Sequence, residues 1–166
     1  MTSGRTGKRP GPSPPDRWMP IAVRYLARRD RTTAQVERFL RHKGAPAAQV
    51  RDIITRLSRL RYLDDRAYAE RWVEARLARR PMGRARLEAE LSGQGVAETV
   101  ALQAIHGALH NLDEETLARR VLASARRPGR RLTPQQAMRL LRQRGFEEET
   151  VERIMGRHIE GKDSAS

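Results

Sequence analysis

The sequence predicts an all-α fold, an elongated, curved array of three tandem three-helix repeats. Three times along the chain, a threonine or glycine is followed twelve residues later by a glycine, with about fifty residues between successive pairs. A helix cap, one helix of about three turns and a glycine stop therefore recur at a fixed period, which is typical of repeat proteins. No run of β-branched residues alternates with polar ones, so no strand is expected. The three pairs are Thr32 with Gly44, Gly83 with Gly95, and Thr133 with Gly145.

The repeats are flanked by two polar ends. The first residues are rich in proline and glycine and almost free of apolar side chains, so they cannot bury enough surface to become ordered. We expect a disordered basic tail at residues 1–19, repeat 1 at 20–63, repeat 2 at 64–112, repeat 3 at 113–159 and a disordered C-terminal tail at 160–166.

In repeat 1, Thr32 and Gln35 form a predicted capping box, in which each residue bonds the backbone N–H of the other. Gly44 can adopt a positive φ angle and end the second helix. The third helix carries apolar residues at helical spacing. These residues are Val50, Ile53, Ile54, Leu57 and Leu60.

Repeats 2 and 3 follow the same plan. Gly83 is a weaker cap than Thr32 because it has no side chain, and its helix ends before Gly95. In repeat 3, a second predicted capping box joins Thr133 to Gln136, with proline at the first helical position, where its missing N–H costs nothing. Apolar residues on the first and third helices of both repeats keep the helical spacing.

The composition indicates an acidic partner. The chain has 34 Lys and Arg against 20 Asp and Glu, a net charge of +14. Residues 21–63 alone carry +8, whereas residues 64–112 are neutral. This uneven charge favours a binding surface for phosphate or another acidic group on repeat 1. Cysteine is absent, and no apolar run approaches the length of a membrane span. We therefore expect a cytoplasmic monomer that does not bind membranes.

Several short phrases identify a family when their order and spacing are taken together. They are Tyr25-Leu26-Ala27-Arg28-Arg29-Asp30, Leu63-Asp64-Asp65-Arg66-Ala67-Tyr68-Ala69, Gly83-Arg84-Ala85-Arg86-Leu87 and Leu141-Arg142-Gln143-Arg144-Gly145-Phe146. Over roughly residues 21–156 the chain resembles the RecX family, bacterial regulators of the RecA recombinase. The resemblance implies a protein that binds the RecA filament, inhibits its recombinase, ATPase and coprotease activities, and contacts single- and double-stranded DNA without sequence preference.

The candidate contacts to RecA or DNA are arginines and one lysine. The first two helices of repeat 1 contribute six of them, the start of the second helix of repeat 2 contributes two, and a Pro- and Arg-rich joint in repeat 3 contributes three. A solvated face is the alternative for each residue alone, whereas the set on repeat 1 favours a binding surface. The residues are Arg24, Arg28, Arg31, Arg38, Arg41, Lys43, Arg84, Arg86, Arg127, Arg130 and Arg131.

Other candidates have simpler structural explanations. Asp64 and Asp65 precede a helix, where aspartate caps backbone N–H groups, so we expect capping rather than a metal or acid–base pair. His106 and His110 are four residues apart but lack further ligands, which favours surface histidines. Trp72, Tyr68 and Phe39 could stack on bases, but each lies on an apolar helix face and is expected in the core. We therefore expect no catalytic residue, metal or cofactor.

One alternative function is a DNA-binding protein. The second helix of repeat 1, its glycine turn and its third helix resemble a helix-turn-helix, with Arg51, Arg56 and Arg59 on the exposed side. The wide apolar face of the third helix favours stacking within an array instead.

Overall fold

The computed structural model describes residues 17–110, 112–125 and 132–163, with side chains described as far as Gly156. Over these ranges the chain forms nine α-helices and no strand, which confirms the predicted all-α repeat fold. The helices of repeat 1 are α1 (Trp18–Leu26), α2 (Thr33–His42) and α3 (Ala47–Arg59). Those of repeat 2 are α4 (Asp65–Arg79), α5 (Arg84–Gly93) and α6 (Glu98–His110). Those of repeat 3 are α7 (Glu114–Ala125), α8 (Pro134–Gln143) and α9 (Glu148–Asp163).

Helices extend into both terminal segments in which disorder was expected. Helix α1 begins at Trp18, whose side chain is 5% exposed and packs in the core of repeat 1. Burial of an indole supplies the apolar area that the rest of the N-terminal segment lacks. At the other end, α9 continues to Asp163, beyond the expected start of the C-terminal tail at residue 160.

The three glycine stops are confirmed. Gly44, Gly95 and Gly145 follow α2, α5 and α8 with φ angles of 89°, 81° and 78°. Only glycine adopts this left-handed conformation without steric cost, so each glycine ends its helix. At the start of α8, the capping box between Thr133 and Gln136 is complete, with both side-chain bonds present.

The capping box at Thr32 is only half formed. Thr32 Oγ1 accepts the N–H of Gln35 at 3.2 Å, as predicted. Gln35 Oε1 does not accept the N–H of Thr32, and the side-chain amide is turned towards repeat 2, where its Nε2 donates to Gln94 Oε1 at 2.7 Å. Thr32 Oγ1 also donates to the carbonyl of Gln94 at 2.7 Å. The side chain of Gln35 therefore bonds to repeat 2 instead of completing the predicted capping box with Thr32.

These contacts belong to a junction that occurs twice. The N-cap of the second helix in one repeat meets the glycine turn of the next repeat. At the first junction Thr32 bonds Gln94, which precedes Gly95. At the second, Gly83 N–H donates to the carbonyl of Arg144 at 2.9 Å, beside Gly145. The recurring cap and glycine therefore mark the two ends of a helix, and they also mark the places where neighbouring repeats bond to each other.

A carboxylate completes each junction. The first N–H of α2, at Thr33, donates to Asp65 Oδ1 at 2.8 Å, and the first N–H of α5, at Arg84, donates to Glu114 Oε1 at 3.3 Å. Both acids lie in the first helical residue of the next repeat. The equivalent residue of repeat 3 is Pro134, which has no N–H to donate. The start of α8 in repeat 3 therefore cannot form the equivalent bond to a carboxylate.

The apolar core is divided unequally. Repeat 1 has its own cluster of buried side chains, including Leu40, Ile53 and Leu57. A second cluster runs continuously through repeats 2 and 3. Leu60, predicted on the buried face of the third helix, is 56% exposed, because α3 ends at Arg59 and the chain changes direction. Repeats 2 and 3 thus form one body, joined to repeat 1 mainly by polar contacts.

Candidate binding surface on repeat 1

Repeat 1 carries far more positive charge than its own acids can neutralise. Residues 20–63 contain eleven Lys and Arg but three Asp and Glu. Asp30 pairs with Arg71 of repeat 2 at 2.8 Å, and Glu37 pairs with Arg41 at 3.6 Å. Many cations are therefore exposed and have no carboxylate partner within the described part of the chain. We call them the unpaired cations of repeat 1: Arg24, Arg28, Arg29, Arg38, Lys43, Arg51, Arg59 and Arg61.

An aromatic stack joins α1 to α2 and fixes two of the predicted cations. Tyr25 and Phe39 stack face to face, with ring centroids 3.8 Å apart. The guanidinium of Arg31 lies 4.3 Å from the Tyr25 centroid, and Lys43 Nζ lies 5.8 Å from that of Phe39. Each cation is held over the negative face of a ring. Phe39 is partly buried and packs against the core of repeat 1, and Tyr68 and Trp72 do the same against the core of repeats 2 and 3, so these residues lie at the edge of the core rather than within it.

Of the arginines of repeats 2 and 3 whose side chains the structure describes, most are paired with carboxylates, although Arg79, Arg80, Arg120, Arg139 and Arg144 are not. These pairs hold adjacent turns of one helix together or connect two helices. They are Arg66 with Glu70, Arg76 and Arg86 with Glu90, Arg84 with Glu147, Arg119 with Glu115, Arg142 with Glu148, and Arg153 with Glu115 and Glu149.

The candidates Arg84 and Arg86 lie at the second junction, away from those of repeat 1. Arg84 Nε is 3.8 Å from Glu147 of repeat 3, and Arg86 Nε donates to Glu90 at 2.9 Å. The structure therefore gives both residues carboxylate partners, unlike the unpaired cations of repeat 1. The remaining three candidates, Arg127, Arg130 and Arg131, lie outside the described residues.

A basic cluster at the second junction was not predicted. The pKa of Arg144 is lowered, first by burial and then by the nearby charges of Arg80 and Arg86. The guanidinium of Arg144 is thus close enough to those of Arg80 and Arg86 to be repelled by both. Arg80 directly follows α4 and Arg144 directly follows α8, 64 residues later, so no local sequence pattern links them.

The two aspartates before α4 act as caps, as predicted. Asp64 Oδ1 accepts the N–H of Ala67 at 2.9 Å, within its own helix. Asp65 instead accepts the first N–H of α2 from repeat 1. In the described part of the chain, no group of three or more His, Asp and Glu residues is arranged to hold a metal ion. His106 and His110 are exposed, as expected.

Exposed arginines without internal partners are available to an acidic surface. A paired arginine must first break its ion pair, whereas an unpaired one exchanges only water and counterions. Repeat 1 can therefore attract phosphates or carboxylates from solution and hold several at once. The aromatic stack places the cations of Arg31 and Lys43 beside its two rings.

Comparison with known proteins supports the predicted family. The model for the first three-helix domain of RecX matches residues 21–57, and the model for the second three-helix domain matches residues 64–105. These ranges correspond to repeats 1 and 2.

Relatives align over most of the chain. The regulatory protein RecX of Treponema pallidum is 34% identical over 141 residues, covering 85% of each chain. The regulatory protein RecX of Thermobifida fusca is 31% identical over 166 residues, covering 96% of this chain and 90% of its own.

The fold matches solved structures as well. A crystal structure of RecX from Lactobacillus salivarius superimposes with a TM-score of 0.70 at 22% identity, covering 84% of this chain and 92% of that one. None of the helices in the described ranges combines the length and apolar character needed to cross a bilayer. The repeats, their spacing and these alignments together place the chain in the RecX family of regulatory proteins.

Proposed function

We propose that this chain binds the RecA recombinase assembled on DNA and inhibits its recombinase, ATPase and coprotease activities. It acts in the cytoplasm as a monomer and as a regulator, without catalytic chemistry of its own. The observation that carries the proposal is the set of unpaired cations on repeat 1, within a family of regulatory proteins.

The physical basis of the proposal is that the helical array is long and positively charged, whereas the RecA filament on DNA is long and carries negatively charged phosphates. A RecA filament on DNA is long and carries the phosphates of the nucleic acid. Cations that contact phosphates release counterions, and the attraction also speeds encounter. Helices of 9 to 16 residues, stacked repeat on repeat, span several tens of ångströms. An array of this length lying in the filament groove would bridge neighbouring subunits and obstruct entry of a second DNA.

Direct DNA binding is the second candidate function. Arg51 and Arg59 of α3 are exposed and lack ion pairs within the described chain, and the α2–turn–α3 unit resembles a helix-turn-helix. However, α3 buries Val50, Ile53 and Leu57 against its own repeat. This packing favours phosphate contacts by α3 over insertion of its length into a groove. We therefore propose DNA contact as a non-specific part of filament binding.

The test is RecA-dependent ATP hydrolysis on single-stranded DNA, with this protein titrated in at two salt concentrations. We expect hydrolysis to fall at amounts at or below equimolar with RecA, with a weaker effect at higher salt. Unchanged hydrolysis at equimolar protein would contradict the proposal. Sequence-selective binding to duplex DNA in the absence of RecA would favour the second candidate.

A further inference from the structure

A cleft of about 370 Å³ opens between repeats 1 and 2. We call it the α1–α4 cleft, because it lies between the end of α1 and the start of α4. Its lining includes Val23 and Arg31 from one side and Arg61, Tyr62 and Asp64 from the other. Any molecule that fills the cleft would contact both repeats at once.

Two cations in the α1–α4 cleft have no carboxylate partner in the described chain, whereas its acids are bonded. Asp30 is held by two hydrogen bonds from Arg71, at 2.8 and 3.0 Å, and Asp64 caps α4. Arg31 stacks on an aromatic ring, yet its Nε is buried without a hydrogen bond. Arg61 forms no ion pair with any described residue. A buried unbonded donor is costly, so a ligand that supplies an acceptor there is favoured.

Arg61 also has a strained backbone. Its φ angle is 61°, and it is the one non-glycine residue of the described chain with positive φ. The three other turns of this kind use glycine. A side chain in the left-handed region costs about 1 kcal/mol or more relative to glycine. An arginine rather than a glycine at this position places a guanidinium group in the lining of the cleft.

Apolar surface lies beside these cations. Tyr62 is 59% exposed and Val23 is 38% exposed, both in the lining of the cleft. Large apolar side chains with this exposure are uncommon on the described surface. They offer an amphipathic ring and an aliphatic contact next to two guanidinium groups.

We infer that the α1–α4 cleft is a docking site for a protein segment that carries a carboxylate beside a large apolar side chain. The carboxylate would bind Arg31 and Arg61, and the apolar side chain would pack on Tyr62 and Val23. A peptide also has N–H groups, which Asp30 and Asp64 at the cleft can accept.

Charge complementarity selects this occupant over two others. A phosphodiester chain carries a negative charge at every unit and no N–H donor in its backbone, so the cleft's two carboxylates oppose it at more points than they oppose a peptide with one acid. The chain's own N-terminal segment has four Lys and Arg and one Asp within residues 1–20, so its charge has the same sign as the free cations. The inference goes beyond the proposed function, because it assigns Arg61, one of the unpaired cations of repeat 1, and Arg31 to a peptide contact that holds whichever protein supplies the segment.

The contacts to Arg31, Arg61, Tyr62 and Val23 lie in repeat 1, and hydrogen bonding of a peptide N–H to Asp64 would extend the bound segment to repeat 2. The two repeats have separate cores and meet through a few polar bonds, so a segment contacting both adds to a small interface. Binding of such a segment would therefore stabilise the junction by mass action.

The test is fluorescence anisotropy of a labelled peptide, Gly-Ser-Asp-Leu-Phe-Glu-Gly-Ser, titrated with the full chain. We expect a Kd on the order of 0.1 mM, typical of a short peptide in an open cleft. Arg61→Gly keeps the backbone conformation and removes the guanidinium. It should weaken binding at least fivefold while the unfolding temperature equals or exceeds that of the unchanged protein.

Matched controls separate the chemical contributions. Tyr62→Ser should weaken binding, whereas Leu60→Ser, a comparably exposed apolar residue outside the cleft, should not. Peptides with Asn and Gln in place of the acids, or Ser in place of Leu and Phe, should bind more weakly. No binding of the original peptide, or equal binding to Arg61→Gly, would overturn the inference. Stronger binding of an oligothymidine that is lost in Arg61→Gly would assign the cleft to nucleic acid instead. None of these outcomes depends on RecA, so the proposed function is judged separately.

Discussion

Repeat 1 and the body formed by repeats 2 and 3 use their arginines differently. In repeat 1, eight exposed cations have no carboxylate partner within the described residues, and the core is separate. In repeats 2 and 3, ion pairs connect neighbouring turns and helices over a shared core. The same residue type therefore serves cohesion in one region and is left available for binding in the other. This division is the structural basis of the proposed function.

The largest effect is expected at the junction within the shared body. A Cβ atom at Gly83 would overlap the backbone carbonyl of Gly145, which cannot move without shifting the turn. We predict that Gly83→Ala lowers the free energy of unfolding by about 3 kcal/mol. Urea denaturation measures this change.

The control is Gly93→Ala, at a position where a Cβ atom would meet nothing within 4 Å. Because Gly93 is helical, alanine there should be neutral or stabilise by up to about 1 kcal/mol. Equal stability of Gly83→Ala and the unchanged protein would show that repeats 2 and 3 are not closely joined at this point.

A smaller effect is expected at the polar junction of repeat 1. Thr32 is fully buried and both caps α2 and donates to Gln94. Thr32→Ala removes the cap and leaves the Gln94 carbonyl unbonded, at a cost of about 2 kcal/mol. Thr133→Ala removes an exposed cap alone and should cost about 1 kcal/mol. If the two variants lose equal stability in thermal unfolding, the junction bond contributes nothing.

The ion pairs of Glu90 with two arginines of repeat 2 make the stability of the fold depend on pH. Burial alone would raise the pKa of Glu90, but hydrogen bonds from Arg86 and Arg76 outweigh it and lower the pKa. A lowered carboxylate pKa stabilises the fold above the usual value of 4.5 and loses that contribution as pH falls through the lowered value. Glu90→Gln should therefore lose about 1 kcal/mol at neutral pH and show a flatter decline below 4.5. A decline as steep as that of the unchanged protein would assign the acid sensitivity elsewhere.

The smallest effect concerns the ion pair between the repeats. Asp30 and Arg71 are both more than half exposed, so water and salt screen their attraction. A double-mutant cycle with Asp30→Asn and Arg71→Gln should give a coupling of at most about 0.5 kcal/mol. A coupling above 1 kcal/mol would mean that repeat 1 is fixed to repeat 2 more firmly than its separate core indicates.

Local patterns predicted the fold, because caps, glycine stops and helical spacing act over a few residues. They could not predict that Gln35 bonds Gln94, because the two residues lie 59 positions apart in the sequence. The local pattern instead predicted a bond between Gln35 and Thr32. They also placed Leu60 in the core, because nothing in the sequence indicates that Arg61, a non-glycine residue, would adopt positive φ.

The distribution of charge in the sequence pointed to the candidate site, but it could not show which arginines form ion pairs. Net charge identified repeat 1, and the structure adds which cations are unpaired. Arg84 and Arg86 are helix-surface arginines in the sequence, as are Arg28 and Arg38. In the structure, however, Arg84 pairs with Glu147 of repeat 3, and Arg86 pairs with Glu90 one helical turn later. Arg80 and Arg144 come together only through the stacking of repeats.

The most direct test compares two triple variants in binding to RecA filaments on single-stranded DNA across a range of salt. One is Arg24→Gln, Arg28→Gln and Arg38→Gln in repeat 1. The other is Arg79→Gln, Arg120→Gln and Arg139→Gln in repeats 2 and 3, with the same loss of charge at exposed residues lacking ion pairs in the described chain. We predict at least tenfold weaker binding and a shallower salt dependence for the first, and less than threefold weakening for the second. Equal weakening by both variants would contradict the account.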